Sequence, residues 1–520
     1  MELRSRKVVG TTPSKKAAEG ATPSKRAAPT PRKSSKKEKA DDAFDADDAA
    51  VDAAAPVAAA SPAVATGSNW VDGGLGDGTW MVPFLLVFCP MFVQVLASLT
   101  STDSPADPAL GVSGLAEHCL NAGVVTCAAD VAAFVAQSYV APSSRAVQFL
   151  LSFNALALLL DVGLPGPVEY GPETLTGHVP SYKNNALLHC FVFTLVFVGC
   201  SSLGLGLFDL GIIYDVFPQM ISSLNIFGMA LAVFLNYKGL HFPSTADSGT
   251  TGSFFKDFTW GTELYPRVFG VDIKRFVNCR FAMTFWMLAP LSFTYKSYAL
   301  HGALDYGLAL GAASQFLYLV KFFEWEIGYM RSIDIIVDRA GWEIQWGCLV
   351  WVPSVYTFHS RFCVSHPTGL SPAAAAAIFS VGFSGVLLNY WADVQRKRFR
   401  EADGKGLIWG KVPVFVVAKY TVYHKDGSVQ GERESLLLAS GFWGIARHFH
   451  YVFELTAAWS WGLLSNPARN GALPLFYPFF LTILLAERAK RDEKKCKNKY
   501  GAYYDEYSNK VPYLILPGVY

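Results

Sequence analysis

The sequence predicts an all-α polytopic membrane protein of about ten transmembrane helices with a disordered amino-terminal tail. Three observations carry that expectation. Of 520 residues, 52% are apolar and only 17% charged, with a mean hydropathy of +0.26, the balance of a lipid-embedded chain rather than a soluble enzyme. Apolar runs long enough to cross a bilayer recur along the chain. The cations gather in a few hydrophilic segments, so a net charge of +2 conceals strong segregation.

The tail comes first. Residues 1–40 hold Lys and Arg at twelve positions from Arg4 to Lys39, against Glu2, Glu19 and Glu38, and an acidic, Ala-rich run follows at 41–52. The segment Thr12-Pro-Ser-Lys-Lys-Ala-Ala recurs as Thr22-Pro-Ser-Lys-Arg-Ala-Ala. Almost nothing before Trp70 is bulky and apolar, so residues 1–75 cannot bury enough surface to offset their ordering entropy and read as disordered. No aromatic ring interleaves with these cations to stack on bases. Nucleic acid is therefore the poorer partner, and a cytosolic amino terminus beside anionic lipid the better one. The first apolar run, 80–99, starts too far from the initiator for a cleaved signal and reads as an uncleaved anchor.

Further spanning runs follow at 146–164, 186–206, 219–237, 283–300, 306–323, 342–362, 373–391, 441–464 and 473–487; a weaker stretch, 110–140, reads as a poorly hydrophobic helix or a re-entrant piece. Helices are expected throughout, because lipid offers exposed backbone no partner, and the chain reads as free of strand-length alternation. Nine cysteines form no C-x-x-C pair, which argues against disulfides and zinc. His448 and His450, two apart on an expected helix, point in different directions, so no metal is expected.

Two hydrophilic segments are strongly basic: 392–411, with Arg396 and Arg400 among its cations, and 488–499, with Arg488 and Lys499. Both are expected on the cytosolic side. Charge also continues into an apolar run, where Arg447, His448 and Glu454 lie within 441–464. Ionisable groups at such depth are costly and are usually held by partners or ligands.

Several motifs together resemble the sterol reductase family. They are Ser440-Gly-Phe-Trp-Gly-Ile-Ala-Arg-His-Phe-His-Tyr451, Leu407-Ile-Trp-Gly410, the stretch from Phe255 to Arg267 with its Thr-Trp-Gly-Thr-Glu-Leu-Tyr-Pro, Ile333-Asp-Ile-Ile-Val-Asp-Arg-Ala-Gly-Trp342, and the closing stretch from Arg491 to Tyr520. The match runs from about Gly166 to the carboxyl terminus. Within the family, Phe442-Trp-Gly with Ala446-Arg-His-Phe is most similar to the branch that reduces the Δ7 bond of 5,7-diene sterols. The resemblance implies an NADPH-dependent enzyme of the endoplasmic reticulum membrane with a sterol substrate. It divides the chain into the tail, amino-terminal helices at 76–240 and a catalytic core at 241–520. It assigns cofactor binding to Arg396, Arg400, Leu438, Trp443, His450, Tyr451, Asp492, Cys496, Lys497, Asn498, Lys499, Tyr500 and Tyr507. The two arginines fall to the phosphates, including the 2′-phosphate that distinguishes NADPH from NADH. No Gly-rich phosphate loop is present, so the site is not of the Rossmann kind.

Reducing a sterol alkene also needs a proton donor inside an apolar pocket, since such a bond accepts hydride poorly until it is protonated. Tyr318, Glu324, Glu326, Asp334 and Asp338 are candidates, and the resemblance favours Tyr318 and Glu326. The chain departs from the family pattern at His450, Phe453-Glu454, Arg396, Asp393, Tyr265 and Lys321. Phe453 is the sharpest departure, because it adds a ring where the helix must approach the cofactor. The alternatives are Δ14-sterol reduction and a non-catalytic scaffold like the lamin B receptor, in which Phe453 blocks the pocket. The sequence carries no signal for oligomeric state.

Overall fold

The computed structural model describes residues 81–100, 132–174, 176–423 and 429–520. The reading of the tail at 1–75, and most of the weak stretch 110–140, lie outside them.

Each of the ten apolar runs lies mainly on helix, and one further helix follows the last run. In order these are α1 (Met81–Leu99), α2 (Ser144–Gly163), α3 (Ala186–Cys200), α4 (Phe217–His241), α5 (Thr284–His301), α6 (Tyr306–Glu324), α7 (Trp342–Trp346), α8 (Phe358–Ser365), α9 (Pro372–Glu401), α10 (His450–Leu464), α11 (Phe476–Tyr500) and α12 (Ala502–Lys510). The run at 342–362 is covered by α7 and α8 with a π-helical segment, Gly347–Tyr356, between them, and α5 is preceded by a second π segment, Phe276–Met283. Among the described residues, α2, α4, α6 and α9 have the length and composition to cross a bilayer, while the apolar parts of α1 and α3 are shorter.

Charged groups in the interior close on one another. Arg280 donates through Nε to Asp161 Oδ1 at 2.8 Å and through Nη2 to Asn185 Oδ1 at 3.1 Å and Glu326 Oε2 at 3.0 Å, and its Nη1 also reaches Glu326. Arg275 lies 3.1 Å from Asp161 and 3.6 Å from Glu326. The cluster ties α2, the π segment Phe276–Met283 and the short helix Glu326–Tyr329 together. Taking these charges out of water is costly, and the opposed guanidiniums and carboxylates offset much of that cost for one another.

The tightest helix pair is α9 with α10. A Cβ on Gly382 would sit 2.6 Å from the Ser460 side chain, and one on Gly385 would sit 2.8 Å from the Phe453 carbonyl. Small residues let membrane helices approach to backbone contact, which replaces the hydrophobic force that lipid cannot supply. At 30 residues, α9 is about 45 Å long, more than a hydrocarbon core of about 30 Å, and its last third carries Arg396 and Arg400.

Two expectations need correction. The chain is mostly helical rather than all-α, because β1 (Phe415–Tyr423) and β2 (Val429–Leu438) form an antiparallel hairpin with Val416 opposite Leu437 and Lys419 opposite Glu434. Val416, Ala418 and Tyr420 alternate inward against Tyr500, Tyr504, Tyr507 and Val511, while Lys419 pairs with Glu434 at 3.2 Å outside. The run 441–464 is also not one helix. Gly441 is left-handed (φ +64) and Gly441–Gly444 is a single 3-10 turn, so α10 begins only at His450.

Candidate functional site

The hairpin returns the chain to α9 at Leu438. There Ala439 N donates to Val414 O at 2.8 Å, and Gln395 Oε1 accepts from Phe442 N at 2.9 Å. A Cβ at Gly441 would meet the same Gln395 side chain at 2.2 Å, so only glycine lets the turn dock this closely. Docking aims Trp443 at α9: its indole donates to Ala392 O at 2.9 Å, and the Arg396 guanidinium sits 3.8 Å from its ring centroid. Arg396 and Arg400 share one face of α9, being four apart.

The opposite wall comes from α11 and α12. Asp492, Cys496 and Tyr500 recur every four residues and form one stripe of α11. Gly501, left-handed at φ +53, ends that helix, and α12 then brings Tyr504 and Tyr507 to the same space. Burial pushes the Tyr504 and Tyr507 phenols above their usual pKa, so both stay protonated donors. Between the walls, Arg447 Nη1 donates to Val511 O at 2.6 Å and Nη2 to Glu493 at 2.7 Å, while His448 Nε2 lies 3.4 Å from Asp492.

These elements border a half-open pocket with a cavity volume of ≈ 70 Å³. Of the thirteen residues assigned to cofactor binding, Arg396, Arg400, Leu438, Trp443, Asp492, Cys496, Tyr500 and Tyr507 line it. His450 stands behind the lining, its ring 4.8 Å from Trp443, and Tyr451 stacks on His448 at 5.2 Å. Lys499 lies over Tyr420 at 4.2 Å. Lys497 pairs with Asp505 at 3.1 Å, and Asn498 is exposed; neither lines the pocket. Leu437 and Tyr504 line it without having been singled out in the sequence. Tyr504 carried a signal, four residues after Tyr500 and three before Tyr507.

Phe453 is outside this lining. It packs on Phe442 and Phe449 at 5.4 and 5.1 Å, against the root of the hairpin. Two other departures from the family pattern compensate each other: Lys321 reaches Asn389 Oδ1 at 2.6 Å and Asp393 at 3.8 Å.

A second polar pair lies deeper. Tyr318 on α6 donates to Glu454 Oε1 on α10 at 2.6 Å. Glu454 follows His450 by four residues, so the pair sits one helical turn, about 6 Å, beyond the ring that backs the pocket. Aromatic rings surround it: Trp286 and Trp461 lie 5.5 and 5.3 Å from Tyr318, and Tyr356 and Tyr477 close the cage at 5.0 and 6.3 Å from Trp286 and 4.8 Å from each other. Both indoles are satisfied, Trp286 by Gln315 at 3.0 Å and Trp461 by Ser314 at 2.9 Å. Of the aromatic residues at 342–358, Tyr356 joins this cage. Glu326, the other acid candidate, belongs to the Arg275 and Arg280 cluster. Among the described residues no three His, Cys, Asp or Glu side chains gather as metal ligands.

The chain matches the Ergosterol biosynthesis ERG4/ERG24 family over residues 120–520, a stretch that contains the whole pocket and cage. It belongs to that family. It is 41% identical over 382 residues to the 7-dehydrocholesterol reductase of Arabidopsis thaliana, covering 73% of this chain and 86% of the relative. It is 35% identical over 362 residues to the Delta(14)-sterol reductase of Methylotuvimicrobium alcaliphilum, covering 69% and 80%. The 7-dehydrocholesterol reductase of Danio rerio is 34% identical over 360 residues, covering 69% and 74%. The family thus includes relatives named for reducing different sterol bonds.

Proposed function

We propose that this sterol reductase uses NADPH to reduce the Δ7 bond of a 5,7-diene sterol, in the endoplasmic reticulum membrane, with about ten spans and the basic ends of α9 and α11 in the cytosol. One observation carries the reading: Arg400, Trp443, Asp492 and Tyr507, from four separate segments, line one pocket, and α10 leads from that pocket to Tyr318 and Glu454.

The donor set fits a phosphorylated dinucleotide. Arg396 and Arg400 supply planar, permanently charged groups for phosphates, Tyr500, Tyr504 and Tyr507 supply neutral donors, and Leu437, Leu438 and Trp443 supply apolar walls. NADPH bound there supplies a hydride. The chain itself would supply the proton: Tyr318 faces the aromatic cage, and its phenol, which Glu454 orients by accepting from it at 2.6 Å, would give its proton to C8 and regain one from water. Protonation at C8 would leave an allylic cation at C7, the position that a hydride from the cofactor would then saturate. Glu326 is a poorer donor than the sequence reading held, because as a carboxylate it already serves two guanidiniums.

The assay is turnover of a Δ5,7-sterol by purified protein with NADPH, with product identified by mass. The 7,8-dihydro sterol is the expected product, and its absence would overturn the Δ7 reading. The Methylotuvimicrobium relative favours Δ14 reduction as the second reading. A Δ14-sterol in the same assay separates the two. The scaffold reading loses its ground, since Phe453 lies clear of the pocket lining.

A further inference from the structure

Farther along the same bundle lies a second, much smaller cavity of ≈ 10 Å³, room for about one water-sized group such as a hydroxyl. Its lining includes Gly307 and Gly311 of α6, His359, Ser360 and Cys363 of α8, and Trp461 of α10. His359 is only 2% exposed, and neither of its ring nitrogens has a hydrogen-bond partner. Leaving such groups unsatisfied in an apolar interior is costly, so an uncommitted buried imidazole points to a ligand. The other polar side chains there are committed: Ser360 accepts from Gln315 at 2.9 Å, and Ser465 donates to Gly462 O at 2.5 Å.

The ring is not isolated from the reactive pair. His359 stacks on Trp461 at 6.4 Å and on Tyr477 at 5.8 Å, and Trp461 lies 5.3 Å from Tyr318. His359 is therefore two ring contacts from the proton donor, on the side of the cage away from the cofactor pocket. A sterol carries one hydroxyl, on the ring next to the one that holds the C7–C8 bond. A hydroxyl both donates and accepts, and so does a neutral imidazole.

We infer that His359 is the polar anchor for the sterol's 3β-hydroxyl, so that the small cavity receives the hydroxyl end of the substrate and sets the reach from that end to Tyr318. This rests on the sterol reductase reading. The anchor makes the enzyme selective for free sterols over 3-ethers and 3-deoxy analogues. It acts on substrate directly, by filling the histidine's two hydrogen-bonding positions.

The test compares three Δ5,7 ligands that differ only at C3, bearing hydroxyl, methoxy or hydrogen, with the full-length protein in lipid nanodiscs. Binding is read by thermal shift and sterol fluorescence, which need no turnover, and KM is then measured with NADPH. The wild-type chain is expected to bind the alcohol about tenfold more tightly than the 3-deoxy compound, the effect of about one net hydrogen bond. His359→Phe is expected to weaken only the alcohol and erase that preference, and His359→Gln to keep part of it. Gly311→Ala provides a second variant that folds safely, since its Cβ meets nothing closer than Leu464 at 3.8 Å. Its methyl narrows the cavity and is expected to weaken the alcohol most. The anchor is overturned if the wild-type chain binds all three alike, or if His359→Phe weakens them equally, the signature of a core residue satisfied by water. A wild-type chain that binds no sterol at all overturns the reductase reading and the anchor with it.

Discussion

Arg280, in the bundle interior, is 0% exposed and directs its nitrogens to Asp161, Asn185 and Glu326. Arg396 and Arg400, in the last third of α9, border open space together with Trp443 and three tyrosines. Both regions are built from guanidiniums and carboxylates, yet the first is closed on itself and the second opens onto a pocket. A buried charge whose partners complete its shell holds the fold, and removing one partner strands the other. A charge at a pocket wall is able to take up phosphate as well. Charge alone therefore does not mark a functional site; the space beside the charge does.

The largest effect that tests this contrast is Arg280→Met. It leaves Asp161 and Glu326 to share Arg275 and is expected to cost about 3–5 kcal/mol, seen as loss of folded protein on size exclusion and a collapsed melting transition. Glu326→Gln is expected to fail in the same way. If it folds normally and loses only turnover, Glu326 is a catalytic acid and the contrast breaks.

Tyr318→Phe comes next. It removes the proton path and leaves the ring, so kcat is expected to fall by about 10²-fold or more while NADPH binding and melting temperature hold. A smaller loss would place the donor elsewhere.

Asp338 lies outside both regions. Burial raises its carboxyl, with Asp334 beside it, to about 6. The unfolded value is about 3.9, so the folded chain binds this proton more tightly and stability falls as pH rises from about 4 to 6. Asp338→Asn is expected to flatten that slope and to melt a few degrees higher at pH 7 and above, read by thermal unfolding across pH.

The smallest effect is expected from Phe453→Leu. Its ring packs on Phe442 and Phe449 away from the pocket, so NADPH affinity in a titration should stay within about twofold. A large gain in affinity would mean that the ring obstructs the cofactor.

Much of the fold was legible because spanning helices announce themselves by length and composition, and the apolar runs lie mainly on helix. The hairpin escaped that reading. Its inward residues, Val416, Ala418 and Tyr420, alternate with outward ones over a stretch far shorter than a spanning run, and their burial depends on Tyr500 and Tyr504, about 80 residues away. The stretch 441–449 is as apolar as a helix, and Gly441 was the one sign that it is not one. At the site, the spacing of Asp492, Cys496 and Tyr500 already placed them on one face. Lys497 and Asn498, their chain neighbours, necessarily turn outward from that stripe. The pairings Tyr318 with Glu454 and Lys321 with Asp393 join residues far apart in sequence, and only the packed bundle brings them together.

The central claim is that the pocket between α9, the hairpin and α11–α12 holds NADPH. Calorimetric titration of the purified chain in nanodiscs tests it most directly, with NADPH and NADH as ligands and Arg400→Ala as the variant. One NADPH per chain is expected, with NADH and the variant each weaker by at least about tenfold through the loss of one charge-assisted contact. NADPH binding that is absent, or that Arg400→Ala leaves unchanged, would contradict the account.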